Sequence, residues 1–419
     1  MGNQRIQLFK HTLGELLDVT RGMSLPGSNY ATSGKLIRLT LGNFDYGGNG
    51  FKENTSKDNI YYSGKVPEAF ILNAGDIITP LTEQTPGLLG TTARIPQSGK
   101  YIQSQDVALI TCKPDKLDPL FCYYLVSSSI VKQQLAAGSQ QTKIRHTSPD
   151  KIKACIVYIP EDLTIQHQIG ELLTDIDEKI FLNCKANAEL EALAKQYYDY
   201  WFVQFDFPDK NGRPYKSSGG EMVYDSVLKR EIPSGWKSVM LTDIANITMG
   251  QSPDGKSYNT KGKGTVFFQG STDFGEFAPE VRMYTTSPSR MAKAGDILMS
   301  VRAPVGTLNL SSTDCCVGRG LAALNSKIGS TTYLYYVLQY AKSYFDKLNS
   351  SGTTFGAITK DDLHGVKTIM PDSTVLNKFE SLCSKMMEER FKLFNENLKL
   401  AELKNFVLPL LMNGQASIS

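Results

Sequence analysis

The feature that most constrains this chain is that it is written twice. The stretch Leu13–Gly22 recurs at Leu241–Gly250, and Ala74-Gly75-Asp76-Ile77-Ile78 recurs at Ala294-Gly295-Asp296-Ile297-Leu298. Tyr123-Tyr124-Leu125 returns as Tyr335-Tyr336-Val337, and Gly138–Ile144 as Gly352–Ile358. Each half closes on a short apolar strand, Tyr158-Ile159-Pro160 or Ile369-Met370-Pro371. The matched segments keep their order while the offset between them drifts, so the halves differ by loop insertions. A repeat of this length implies two similar domains rather than one continuous core.

Each half starts as mixed α/β. Residues 35–41, 76–80 and 107–112 are apolar or β-branched runs between Gly and Pro, which predicts strands. Residues 118–135 and their partner 331–348 have helical spacing, with Tyr, Leu and Val on one face. Each half then ends in a long helix, the first capped around Asp162-Leu163-Thr164 and the second starting near Ser373-Thr374. In the first, Ile169, Leu173, Ile176, Ile180, Asn183, Asn187, Leu190, Ala194, Tyr197 and Trp201 step by threes and fours. In the second, Phe379, Leu382, Met386, Leu393, Leu400, Leu403, Val407 and Leu410 do the same. Such stripes are coiled-coil seams, and each helix of about 50–60 Å would leave its seam exposed unless the other covers it. Residues 1–160 and 236–372 are therefore read as the two domains, 161–205 and 373–415 as the helices, and 206–235 as a connector. The fold class is α+β, with the helices packed as an antiparallel coiled coil. Ile169, Ile176, Asn187 and Leu190 are expected to pair with Phe379, Met386, Asn397 and Leu400. Asn187 and Asn397 lie near the helix midpoints, where their amides are expected to meet across the seam and fix its register.

Composition narrows the class. The 419 residues are 41% apolar and 21% charged, which suits folded cores. The N-terminal Met1–Lys10 is too polar for a signal peptide, and no run of 18 apolar residues exists. The seven cysteines form no CxxC pair, so a reduced, cytoplasmic protein without structural zinc is expected. The net charge of +3 is uneven: residues 1–160 carry +5 and residues 161–205 carry −6. Such a balance allows nucleic-acid binding at two places.

Catalytic patterns are weak. Gly250-Gln251-Ser252-Pro253-Asp254-Gly255-Lys256-Ser257 fits the phosphate-binding pattern GxxxxGKS, yet Tyr258–Gly264 cannot supply the helix such a loop needs. The corresponding loop of the first half has no lysine. His11, His146, His167 and His364 have neither metal nor triad spacing, and no metal site is expected.

The connector carries the strongest motif. It reads Phe205-Asp206-Phe207-Pro208-Asp209, then Gly212-Arg213-Pro214-Tyr215-Lys216-Ser217-Ser218-Gly219-Gly220-Glu221-Met222-Val223, then Ile232-Pro233-Ser234-Gly235-Trp236. With the duplicated plan around it, the whole chain resembles the specificity (S) subunit of Type I restriction–modification systems. The resemblance implies two target recognition domains, each reading half of a bipartite double-stranded DNA site, with the helices as spacer. It implies two methyltransferase (HsdM) subunits docked on the chain and restriction (HsdR) subunits able to join. S-adenosylmethionine would sit on the methyltransferase subunits, ATP and Mg on the restriction subunits, and no cofactor or catalytic group on this chain. The rivals are a coiled-coil scaffold without DNA contact and a nucleotide-binding enzyme using residues 250–257.

The repeat also sorts the DNA contacts. Loops shared by both halves cannot easily read different sequences, so residues 138–144 and 352–358 are expected to serve the fold or position phosphates. Residues 24–60 and 252–286 differ more. In and beside them Lys35, Arg38, Asn43 and Lys52, then Gln251, Lys256, Lys261, Lys263 and Gln269, are candidates for base edges. Lys143, Arg145, Arg302 and Arg319 are expected to meet phosphates or to form structural ion pairs.

Overall fold

A computed structural model of the chain describes residues 6–45, 50–84, 87–138, 145–350 and 357–416. They form two compact units, one from residues 1–180 with 399–419, the other from 181–398.

In the first unit the strands Leu17–Arg21, Val107–Cys112, Ile77–Pro80 and Ala93–Arg94 lie in that order, all antiparallel. A second sheet orders Tyr30–Ala31, Tyr61–Tyr62, Leu36–Arg38 and Tyr101–Ile102, and its last pair is parallel. The second unit repeats this plan. Ala245–Met249, Leu321–Ser326, Ile297–Ser300 and Leu308–Leu310 form the antiparallel sheet. Tyr258–Asn259, Tyr284–Thr285, Thr265–Phe268, Cys315–Val317 and Met291–Ala292 form the other, with the same parallel pairing in its middle. Ile77–Pro80 and Ile297–Ser300 are buried throughout, which is why they read as apolar runs rather than alternating strands. Each of these strands is entered through the repeated Ala-Gly-Asp. Gly75 and Gly295 both sit at φ +88°, a conformation that side chains resist. The carboxylate behind each accepts a turn amide, Asn73 N at 2.8 Å or Lys293 N at 2.9 Å.

The helix expected over 118–135 is two helices, Pro119–Val126 and Ser129–Ala137. Ser127 breaks it by turning its hydroxyl back onto the carbonyls of Tyr123 and Tyr124. Its counterpart Thr331–Ser350 is continuous.

The long helices span Leu163–Tyr198, followed by a π-helical turn at Asp199–Val203, and Ser373–Met412. Asp162 and Asp372 each accept the amide two residues on, at 2.7 and 2.8 Å, and so begin them. In the first unit Ile169 and Leu173 share a core with Leu411 and Met412. In the second, Asn183 donates to Asn397 Oδ1 at 2.9 Å, and Asn187 exchanges hydrogen bonds with Arg390. Within each unit the numbers rise on one helix as they fall on the other, so the helices run antiparallel.

The expected Asn187–Asn397 pair is corrected by these contacts. In an antiparallel pair, a residue beyond the midpoint of one helix meets a residue before the midpoint of the other. Asn397 is therefore opposite Asn183, one turn from Asn187. The seam of the second helix is corrected too. Leu382 and Leu403 are exposed, while Leu376, Phe379, Cys383, Met387, Arg390 and Lys404 are buried. Ile169, Ile176 and Asn187 are buried, and Leu190, Met386, Asn397 and Leu400 are half-buried.

The connector packs into the core of the second unit. Phe207 stacks on Tyr215 and Trp236, with ring centroids at 4.6 and 4.9 Å, and Met222–Asp225 pairs with Arg230–Pro233. Among the described residues, no helix is long and apolar enough to cross a membrane.

Candidate nucleic-acid interface

The repeated motif Leu13–Gly22 ends by pinning a turn. In the first unit Ser104–Val107 joins the two sheets, closed by Val107 N to Ser104 O at 2.9 Å. Gly22 donates to Val107 O at 3.1 Å and packs so tightly that a Cβ would lie 2.2 Å from Ser104 O. In the second unit Gly318–Leu321 is closed in the same way at 3.0 Å. There Gly250 donates to Leu321 O at 2.9 Å, and a Cβ on it would lie 2.2 Å from Gly318 O. The two motif glycines are thus required by close backbone approach. From the side, Ser104 Oγ donates to Leu39 O at 2.7 Å, and Gly320 N donates to Gln269 O at 3.2 Å.

In the first unit this turn borders a polar cleft of about 350 Å³, lined among others by Thr40, Lys57, Gln84, Gln105 and Asp106. Gln84, Gln105 and Lys57 are exposed. Sequence reasoning confined to residues 24–60 passed over Gln84 and Gln105. The signal that finds Gln105 is the offset joining Gly138 to Gly352, which also joins Ser104–Val107 to Gly318–Leu321.

The expected DNA contacts divide. Lys35 and Lys52 are exposed. Arg38 is buried; its guanidinium donates to Asn59 O and Oδ1, both at 3.2 Å, and lies 3.9 Å from the Tyr30 ring centre. Asn43 is buried, accepting Thr40 N at 2.9 Å and donating to Lys52 O at 3.2 Å. Asn43 has both amide atoms engaged and is corrected to a fold residue, whereas Arg38 holds Asn59 through Nε and one Nη and also lines the polar cleft. Asp273 confirms the structural role of Asn43, since it holds Gln269 N at 2.7 Å in the equivalent turn. Arg145 pairs at 3.4 Å with the buried carboxylate of Glu83, which also accepts the amides of Gly87, Leu88 and Leu89. It is the structural ion pair among the two roles expected of it. Lys143 lies outside the described residues, as do 139–144 and 351–356 of the shared loops.

In the second unit Gln251, Lys256, Lys261, Lys263, Gln269, Arg302 and Arg319 are all exposed. Asn259 organises two of them: its Oδ1 accepts the amides of Lys261 and Lys263 at 3.1 and 3.0 Å. Residues 250–257 do not form a phosphate-binding loop. Gly255–Ser257 is a single 3-10 turn capped by Asp254, and a strand follows, not a helix. The first unit has the same turn at Gly27–Asn29 without a lysine. Tyr30 and Tyr258 brace these turns identically, donating to Leu25 O at 3.1 Å and Pro253 O at 3.0 Å.

The helices hold two buried cations that the apolar pattern concealed. Arg390 is 2% exposed; it bonds Asn187 Oδ1 and Glu191 Oε2, both at 2.8 Å, and faces the Phe277 ring at 4.5 Å. Lys404 bonds Asp177 Oδ2 at 2.7 Å, and Tyr124 donates to the same carboxylate oxygen at 2.8 Å. Burial, and then the Asp177 charge, push the Tyr124 phenol well above its ordinary pKa, so it stays a donor. No group of three or more His, Cys, Asp or Glu able to hold a metal occurs among the described residues.

The family model for the Type I restriction modification DNA specificity domain matches this chain twice, over residues 10–192 and 233–378, and the chain belongs to that family. It is a type I specificity subunit with two target recognition domains. It is 29% identical over 328 residues to a putative type I restriction enzyme MjaX specificity subunit of Methanocaldococcus jannaschii, covering 76% of this chain and 72% of the relative. It is 21% identical over 380 residues to the HindI specificity subunit of Haemophilus influenzae, covering 75% of this chain and 81% of the relative. Its fold is that of the S subunit crystal structure from M. genitalium, with a TM-score of 0.63 at 16% identity, covering 98% of this chain and 97% of that one.

Proposed function

We propose that this chain reads a bipartite duplex site, one half through each recognition domain, and carries two methyltransferase subunits that do the chemistry. The observation that carries the reading is the repeated domain: the same sheets and the same pinned turn, with different exposed side chains in each copy. Rigid scaffolds with variable tips suit two unlike half-sites, so the site need not be palindromic.

The chain itself contributes recognition and no catalytic group. S-adenosylmethionine belongs to the methyltransferase subunits, and ATP and Mg to restriction subunits joining the same complex in the cytoplasm. Each unit bears exposed apolar side chains on its share of the long helices, Leu403 and Phe406 in the first and Phe181, Leu182 and Leu398 in the second, which suit partner subunits.

The test is a map of methylated adenines in a host expressing the chain with its methyltransferase partner. Replacing residues 24–66 by those of a different recognition domain should change one half of the methylated motif and leave the other intact. Change in both halves would defeat the idea of independent domains. Duplex binding with and without the methyltransferase subunits separates this reading from a scaffold that never touches DNA.

A further inference from the structure

We infer that the tip of the pinned turn is a base-reading position in each domain: Gln105 reads a base of one half-site and Arg319 a base of the other. This rests on the reading of the chain as a bipartite DNA reader.

The argument starts from what is held constant. In both units the turn follows the strand that pairs in parallel within the mixed sheet and leads into the second strand of the all-antiparallel one. In both it is closed by the same backbone hydrogen bond and held beneath by a motif glycine, and the register-matched carbonyl beside it accepts from the first turn residue, Leu39 O from Ser104 Oγ at 2.7 Å and Phe268 O from Gly318 N at 2.8 Å. The backbone is thus fixed alike. What changes is the exposed residue after the first turn position, Gln105 in one unit and Arg319 in the other.

Among the described residues, neither side chain has a hydrogen-bond or ionic partner. Arg319 is engaged only through its backbone amide, to Ser252 Oγ at 3.4 Å. It stands between Gly318 and Gly320, so it is the one side chain projecting from its turn tip. Gln105 borders the polar cleft with Lys57, Gln84 and Thr40. Asn43, by contrast, has its polar atoms committed inside the fold.

The chemistry of the exchange is specific. Glutamine offers one donor and one acceptor in a plane, which matches adenine N7 and N6, whereas arginine offers paired donors that match guanine O6 and N7. An uncommitted planar group on a preorganised backbone suits direct readout, because the backbone is already ordered and no existing hydrogen bond of the side chain is broken on binding. Arg319 is therefore assigned to a base edge rather than to a phosphate.

The experiment uses the full chain co-expressed with its methyltransferase subunits, selecting duplexes from a randomised DNA pool. The wild-type complex should enrich two half-sites. Gln105→Ala should lower the base preference at one position of one half-site about tenfold or more, and Gln105→Arg should move it from adenine to guanine. Arg319→Ala and Arg319→Gln should do the converse at one position of the other half-site. An unchanged preference with uniformly weaker binding and a smaller salt dependence marks a phosphate contact and overturns the assignment. So does an unchanged motif, a change in both half-sites from one substitution, or loss of enrichment at every position. A wild-type complex that enriches no bipartite site removes the underlying reading instead.

Discussion

Arg390 shows how one buried charge can set a helix pair. Its guanidinium is shared by the Asn187 amide and the Glu191 carboxylate, and the Phe277 ring closes over it. Its partner Glu191 is 37% exposed, so removing Arg390 strands no buried charge; the loss is that of emptying a fully buried site, about 2–5 kcal/mol. Arg390→Ala is therefore expected to lose about that much in denaturant unfolding, whereas Arg282→Ala, at an exposed pair with Glu280, should lose less than ~1 kcal/mol. Equal losses would mean that Arg390 is not the lock described. At this scale the sequence was least legible. Arg38 and Asn43 have the right chemistry for bases, but burial decides their role, and burial of a polar residue depends on partners such as Asn59 and Thr40 brought close by the fold.

At the scale of elements, helix starts were legible because Asp162 and Asp372 act locally, through amides two residues away. The phase of the second helix was not. Its inward positions include Cys383, Arg390, Asn397 and Lys404, so following the apolar residues alone shifts the stripe to Leu382 and Leu403. Those two face outward and contribute little to the fold of this chain. Leu403→Gln with Phe406→Gln should change unfolding free energy by about 0.5 kcal/mol or less per site, as for ordinary surface positions. Leu376→Ala, in the core of the second unit, should cost about 2–5 kcal/mol. A large loss from the outer pair would show that these side chains are buried in the free chain. The polar exchange Asn183–Asn397 and the Asp177–Lys404 pair fix register at a cost in apolar burial, the trade made by buried polar groups in coiled coils.

For the whole molecule, the repeat foretold two domains but not that the first takes up both ends of the chain. Its core contains Leu411 and Met412 beside Leu13 and Ile169, and Lys404 satisfies Asp177 within the same unit. Sequence periodicity shows where a helix lies, not which domain its last turns complete. Ending the chain after Leu398 should expose the first unit to limited proteolysis and abolish its cooperative melting, while the second keeps its own transition. Retention of both transitions would contradict the shared core. The same weave orders events on the ribosome. The second unit is one uninterrupted stretch and can close as soon as it emerges. The first, begun earlier, waits while the roughly 220 residues between Ile180 and Lys399 are made, about 10–40 s at usual synthesis rates. For that interval Ile169 and Leu173 lack their C-terminal cover, so the earlier half of the nascent chain is the one that most needs protection from aggregation.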